Sequence, residues 1–130
     1  MFVEYNANPD KQVVGDCVIR AISKATDTQW ELIYADLCVQ GLIMKDLPSS
    51  NEVWTTYLLE NGFKRFELPN SCPKCYTIFR FSEDNPYGEF VVGTGTHAVA
   101  VVNGDYYDTW DSGDEGILYA FKRIGGNRNA

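Results

Sequence analysis

Positive charge is scarce in this chain. Lysine and arginine total 11 against 18 aspartates and glutamates, for a net charge of -7. Gripping a phosphate backbone requires the opposite balance, so nucleic acid is excluded as the main partner. An acidic surface suits solubility and a basic partner. Also missing is any apolar run near the roughly 18–20 residues of a membrane span, so no membrane association is expected. The stretch from Met1 to Asp10 is polar and lacks a secretory-signal pattern, which makes a cytoplasmic protein the expectation. Histidine occurs once, at position 97, so any imidazole chemistry rests on that residue.

What the chain does have is core-forming material. Hydrophobic residues make up 45% and aromatics 14% of 130 residues, enough for one domain with a packed core and too much for a disordered chain. Residues 1–124 read as a single domain and 125–130 as a flexible tail. The four cysteines are Cys17, Cys38, Cys72 and Cys75. A chain with this much core does not need disulfides, and reduced thiols are expected.

The opening segment, Tyr5 to Gly15, is rich in Asn, Pro and Asp and reads as a loop. A helix is expected from Asp16, as N-cap, to about Ala25, with Val18, Ala21, Ile22 and Ala25 at helical spacing. A second helix runs from Thr28 to about Gln40, with Thr28 and Glu31 as a capping box and Gly41 as its end. Its aromatics Trp30 and Tyr34, like Trp54 and Tyr57 of a third helix over Asn51 to Asn61, are assigned to the core. Strands are expected at Lys64–Leu68, Thr77–Phe81, Glu89–Gly93, His97–Val102, Asp105–Trp110 and Gly116–Arg123. Helices followed by an antiparallel sheet define an α+β architecture.

Asn103-Gly104 between two alternating runs is a strong hairpin signal and fixes a register. Val102 pairs with Asp105 and Val101 with Tyr106, so Val99 opposes Asp108 and His97 opposes Trp110. His97, Asp108 and Trp110 then share a face, with Tyr106 packed beneath them, and diagonal neighbours lie within side-chain reach. Asp108 is thereby expected to accept a hydrogen bond from the His97 ring, fixing its tautomer and leaving the other nitrogen as a base. Asp111 points to the opposite face. Cys17 stands at a loop-to-helix junction, where the partial positive charge of the helix start favours thiolate. A thiol, an imidazole and a carboxylate far apart in sequence are the parts of a cysteine hydrolase.

Gly15-Asp16-Cys17 opening a helix, a histidine on a strand and Asp108-Thr109-Trp110 on the next strand together resemble the papain-like cysteine peptidases. The Asp-Cys pair and the aspartate in third place are similar to the compact peptidase domains that trim bacteriocin leader peptides. Cys72-Pro73-Lys74-Cys75-Tyr76-Thr77, Pro86-Tyr87-Gly88 and the stretch from His97 to Ser112 resemble small proteins of bacteriophages and prophages. The resemblance implies a papain-like α+β fold with N-terminal helices on an antiparallel sheet. It implies a Cys17, His97, Asp108 triad cleaving an amide or isopeptide bond of a protein or peptide, without a cofactor. For a phage-encoded member the location is the host bacterial cytoplasm. Trp110 takes the place of the tryptophan that shields the bond between histidine and orienting residue. The oxyanion hole would combine the Cys17 backbone N–H with Gln12. The superfamily places that glutamine six positions before the cysteine, whereas Gln12 is five before and Lys11 holds the sixth position; Asn8 is the alternative donor. Two other functions fit the same residues: a non-catalytic binding protein that blocks a host protein, and an acyltransferase or transglutaminase-type enzyme.

Other signals carry less. Cys72 and Cys75 have zinc-ligand spacing, but structural zinc needs four ligands, and assigning Cys17 and His97 to catalysis leaves too few in one chain. Two chains pooling their pairs is the remaining metal arrangement; the spacing is read as a structural turn and no metal is expected. Asp105, Asp108, Asp111, Asp114 and Glu115 lack the spacing and glycine of an EF-hand loop.

Overall fold

Ten elements follow one another along the chain. The structure, a computed structural model, describes residues 1–69 and 76–125. Strand β1 (Phe2–Glu4) precedes three helices, α1 (Cys17–Thr26), α2 (Trp30–Met44) and α3 (Asn51–Glu60). Strand β2 (Phe63–Phe66), helix α4 (Ile78–Asp84) and strands β3 (Glu89–Gly93), β4 (Ala98–Val102), β5 (Asp105–Asp108) and β6 (Tyr119–Arg123) complete them. The six strands form one sheet in the order β1-β5-β4-β3-β6-β2. The architecture is α+β.

The sheet is mixed, where an antiparallel one was expected, because β1 pairs in parallel with β5. β1 has only three residues, too few for alternation to mark it in the sequence. The segment Thr77–Phe81 is also corrected: it opens a helix, with the Thr77 hydroxyl accepting from the Arg80 N–H at 3.1 Å as N-cap. A short apolar run does not by itself distinguish strand from helix.

Two apolar clusters sit on opposite sides of the sheet. Ile22, Leu37, Trp54, Leu58 and Phe121 pack with Ala98 and Ala100 under α1–α3. Ile78 and Phe81 of α4 pack with Phe90, Val99, Val101 and Tyr106 on the other side. Tyr106, expected beneath the site, therefore belongs to the α4 side, and its hydroxyl donates to Asp111 at 2.6 Å. Trp54 and Tyr57 are core as expected, but Trp30 is half-buried and Tyr34 50% exposed, their rings tilted with centroids 5.2 Å apart.

Local sequence explains the helix ends. α2 runs through Gly41 and ends at Met44, with Lys45 in the left-handed region at φ 60°. Gly41 is needed for close approach, since a Cβ there would lie 2.7 Å from the Asp46 carbonyl oxygen. The expected capping box does not form, because Gln29 is the N-cap and the Thr28 hydroxyl donates to the Thr26 carbonyl at 3.2 Å. At the hairpin, Asn103 (φ 50°) and Gly104 (φ 87°) are both left-handed, as a type I′ turn requires. Val102–Asp105, Val101–Tyr106 and Ala100–Tyr107 pair in the expected register. Most of the tail (126–130) and the Cys72/Cys75 turn lie outside the described residues, although Gly125 N–H still donates to the Gly62 carbonyl at 3.3 Å.

Candidate active site at the head of helix α1

Cys17 is the first residue of α1 and is half-buried. Asp16 precedes it as N-cap but makes no capping hydrogen bond. Its carboxylate is engaged elsewhere: Oδ1 accepts from Arg20 Nη1 at 2.5 Å and Oδ2 from Trp30 Nε1 at 2.9 Å. The first-turn N–H groups are thus left without a side-chain cap, and the helix-start field acts on the thiol beside them.

His97 immediately precedes β4, and Asp108 ends β5. They meet over the end of the sheet, where α1 begins. His97 Nε2 lies 2.6 Å from Asp108 Oδ2, so the acid occupies that ring nitrogen. The His97 imidazole and the Ala98 backbone N–H both act on the Cys17 sulfur and favour its thiolate form. Cys17, His97 and Asp108 therefore converge at one place, with the imidazole bonded to the acid and acting on the thiol. The Trp110 ring stacks on His97 with centroids 5.4 Å apart and an interplanar angle of 29°, covering the imidazole while remaining 49% exposed.

Asp108 is 1% exposed and fully engaged. Oδ2 accepts from His97 and from the Ser112 hydroxyl at 2.6 Å, while Oδ1 accepts from the Thr109 N–H at 2.8 Å and Arg20 Nη2 at 3.2 Å. Arg20, itself 6% exposed, thus ties the head of α1 to the acid on β5. Sequence reading missed Arg20 and Ser112. The Asp16–Arg20 spacing of four on a helix was a usable signal for half of that contact. Nothing in the sequence marked Ser112.

The electrostatics follow from these contacts. Burial pushes the Cys17 thiol up, but the His97 imidazole and the Ala98 N–H, with the charge of Arg20, outweigh it and hold the thiol below its ordinary value. Burial pushes the His97 imidazole down, yet its bond to Asp108 and the Cys17 thiol beside it raise it to about 9. Asp108 is held below the usual carboxylate range despite burial, through His97, Ser112 and Thr109. Near neutral pH these directions favour a thiolate–imidazolium pair beside an ionised acid.

The sulfur and imidazole open into a cavity of about 570 Å³, walled by Ile19, Leu37, Pro48 and Trp54, with Asn51 and Thr96 at its polar side. Cys38 also reaches this wall. Gln12 and Asn8 do not line it; they line an adjoining groove that shares Gly15, Asp16, Ile19 and Tyr34 with it. Asn8 Oδ1 accepts from the Asp10 and Gln12 N–H groups at 2.9 and 3.3 Å, which shapes the loop. Among the described residues no group of three His, Cys, Asp or Glu side chains is placed to hold a metal ion. No described helix is long and apolar enough to cross a membrane. No protein-family model, curated protein or solved structure matches the chain.

Proposed function

We propose that this chain is a papain-like cysteine hydrolase, a peptidase or amidase that opens an amide or isopeptide bond of a protein or peptide through an acyl-enzyme. The observation that carries the reading is the convergence of the Cys17 thiol, the His97 ring and Asp108 at the head of α1, with His97 Nε2 2.6 Å from Asp108 Oδ2 and Cys17 and His97 lining one cavity. His97 takes the thiol proton, and Asp108 orients and stabilises the imidazolium. The thiolate attacks the carbonyl carbon, His97 returns the proton to the leaving amine, and the C–N bond breaks. Water, deprotonated by His97, then releases the acyl group and restores the thiol. The Cys17 N–H is one oxyanion donor of this reading; the Gln12 amide, which lines the adjoining groove, would have to reach past Gly15 and Asp16 to be the second. Removing one such donor costs about 2.7–4 kcal/mol of barrier, so Gln12→Ala is expected to lower kcat on the order of 10²–10³-fold. An unchanged rate would assign that donor elsewhere.

The reading is tested by the pH dependence of Cys17 alkylation with iodoacetamide, compared between wild type and His97→Ala, with the alkylated site located by mass spectrometry. Cys17 is expected to react selectively and with a midpoint well below that of a free thiol, about 8.5. The midpoint should rise when the imidazole is removed. Equal, slow labelling in the two proteins would overturn the hydrolase.

A further inference from the structure

Helix α2 is apolar on two opposite sides. Ile33 and Leu37, with Gln40 and Gly41, are buried inward. Turned away from them are Leu32, Ala35, Val39, Leu42 and Ile43, all exposed, with Leu42 at 70% and Ile43 at 67%. A surface helix normally presents a polar face to water, and one that is apolar all round is covered all round.

The spacing of the outer residues says what kind of cover fits. Leu32, Ala35, Val39 and Leu42 alternate intervals of three and four, the a and d positions of a heptad seam. Glu31 and Cys38 then occupy g positions, Asp36 and Ile43 occupy e positions, and Lys45 is the left-handed residue that closes the helix end. We propose that α2 is a self-association surface, pairing antiparallel with α2 of a second copy of this chain. This inference is independent of the reaction assigned to Cys17.

Charge selects the direction. A parallel pair sets g against e of the other copy, which opposes Glu31 to Asp36 and repels. An antiparallel pair sets g against g, so the two Cys38 side chains face each other near the two-fold axis. Glu31 of each copy then lies at the C-terminal end of the other's α2, where the exposed Lys45 ammonium, now on the Leu42 carbonyl, is within side-chain reach. In the same register Leu32 layers on Leu42, and Ala35 on Val39. At the e positions the two Asp36 residues approach the axis, but each is held by the Tyr57 hydroxyl of its own chain at 2.7 Å. A helix of 15 residues is about 22 Å long, so the contact belongs to the smaller interface class and the dimer is concentration-dependent.

Sedimentation velocity over roughly a hundredfold range of protein concentration tests this, since a mass-action dimer must respond to it. The mass should climb from monomer towards dimer. Val39→Glu, at an exposed position that leaves the fold intact by circular dichroism, should hold it at monomer. Lys45→Glu should weaken the dimer, and adding Glu31→Lys should restore it. A short bismaleimide should trap the dimer, and Cys38→Ser should abolish the trap. A monomer at every concentration overturns the proposal. So does a dimer indifferent to Val39→Glu, and a charge swap without rescue overturns the antiparallel register.

Discussion

Replacing Arg20 with methionine keeps a long side chain and deletes its charge. Two contacts disappear, 2.5 Å to Asp16 and 3.2 Å to Asp108, and both carboxylates stay at 5% exposure or less. Breaking a buried ion pair from one side costs about 3–5 kcal/mol, because a charge is left without its partner. Asp108 retains His97, Ser112 and the Thr109 N–H, and Asp16 retains Trp30. Those remaining donors place the expected loss near the lower end, about 3 kcal/mol. Against a total of about 5–15 kcal/mol for an ordinary domain, the variant folds but is visibly weakened. Urea unfolding at neutral pH, followed by fluorescence, measures the difference. Arg20→Lys should fall between, since one ammonium does not fork between two carboxylates as a guanidinium does. Lowering the pH should narrow the deficit, because a buried carboxyl without its cation is cheaper to hold neutral. A loss under about 1 kcal/mol, the range of a solvated ion pair, would refute the claim that Arg20 works from inside the protein.

Four further outcomes follow from the structure. If the chain hydrolyses a peptide, the rate should describe a bell against pH. The lower limb would follow formation of the Cys17 thiolate below its ordinary range, and the upper limb loss of the His97 proton at about 9. In stability terms, His97 contributes fully below its unfolded value of about 6.5, and that contribution fades as the pH rises through about 9. His97→Ala should flatten this alkaline decline in urea titrations. Phe81→Ala empties a fully buried site between Phe66 and Phe90 and should cost about 3–5 kcal/mol in thermal or chemical unfolding. Gly104→Ala combines a positive φ of 87° with a Cβ 3.3 Å from Pro86 Cα, and should cost about 1–2 kcal/mol or more by the same assay.

The adjacency of His97 and Asp108 was legible because one two-residue turn sets the pairing of everything before and after it. The reasoning about a shared face was incomplete, however. Val99, Val101 and Tyr106 look towards α4, whereas Cys17 begins a helix on the other side, and the three groups meet beyond the end of the strands. Alternation describes faces and says nothing about sheet ends. Arg20 was hidden for a similar reason: its second partner is 88 positions away, and no local pattern encodes that distance. Asp16 looked like a helix cap because its type and place suit one, and a contact one turn along with Arg20 and a tertiary one with Trp30 draw its carboxylate aside. The length of α2 was underestimated because Gly41 reads as a stop, when its role is to admit the returning chain at Asp46.

β5 is flanked on both sides, by β4 in one direction and by β1 in the other, with the Tyr5 N–H bonded to the Asp108 carbonyl at 2.8 Å. A strand held along both edges has no freedom to slide, and a shift of one position would reverse every side chain on it. The aim of the Asp108 carboxylate is therefore guarded by main-chain bonds along both edges of its strand, one of them on its own carbonyl. Adding or deleting a single residue at Asn103-Gly104 would misdirect it without touching any group that meets the thiol.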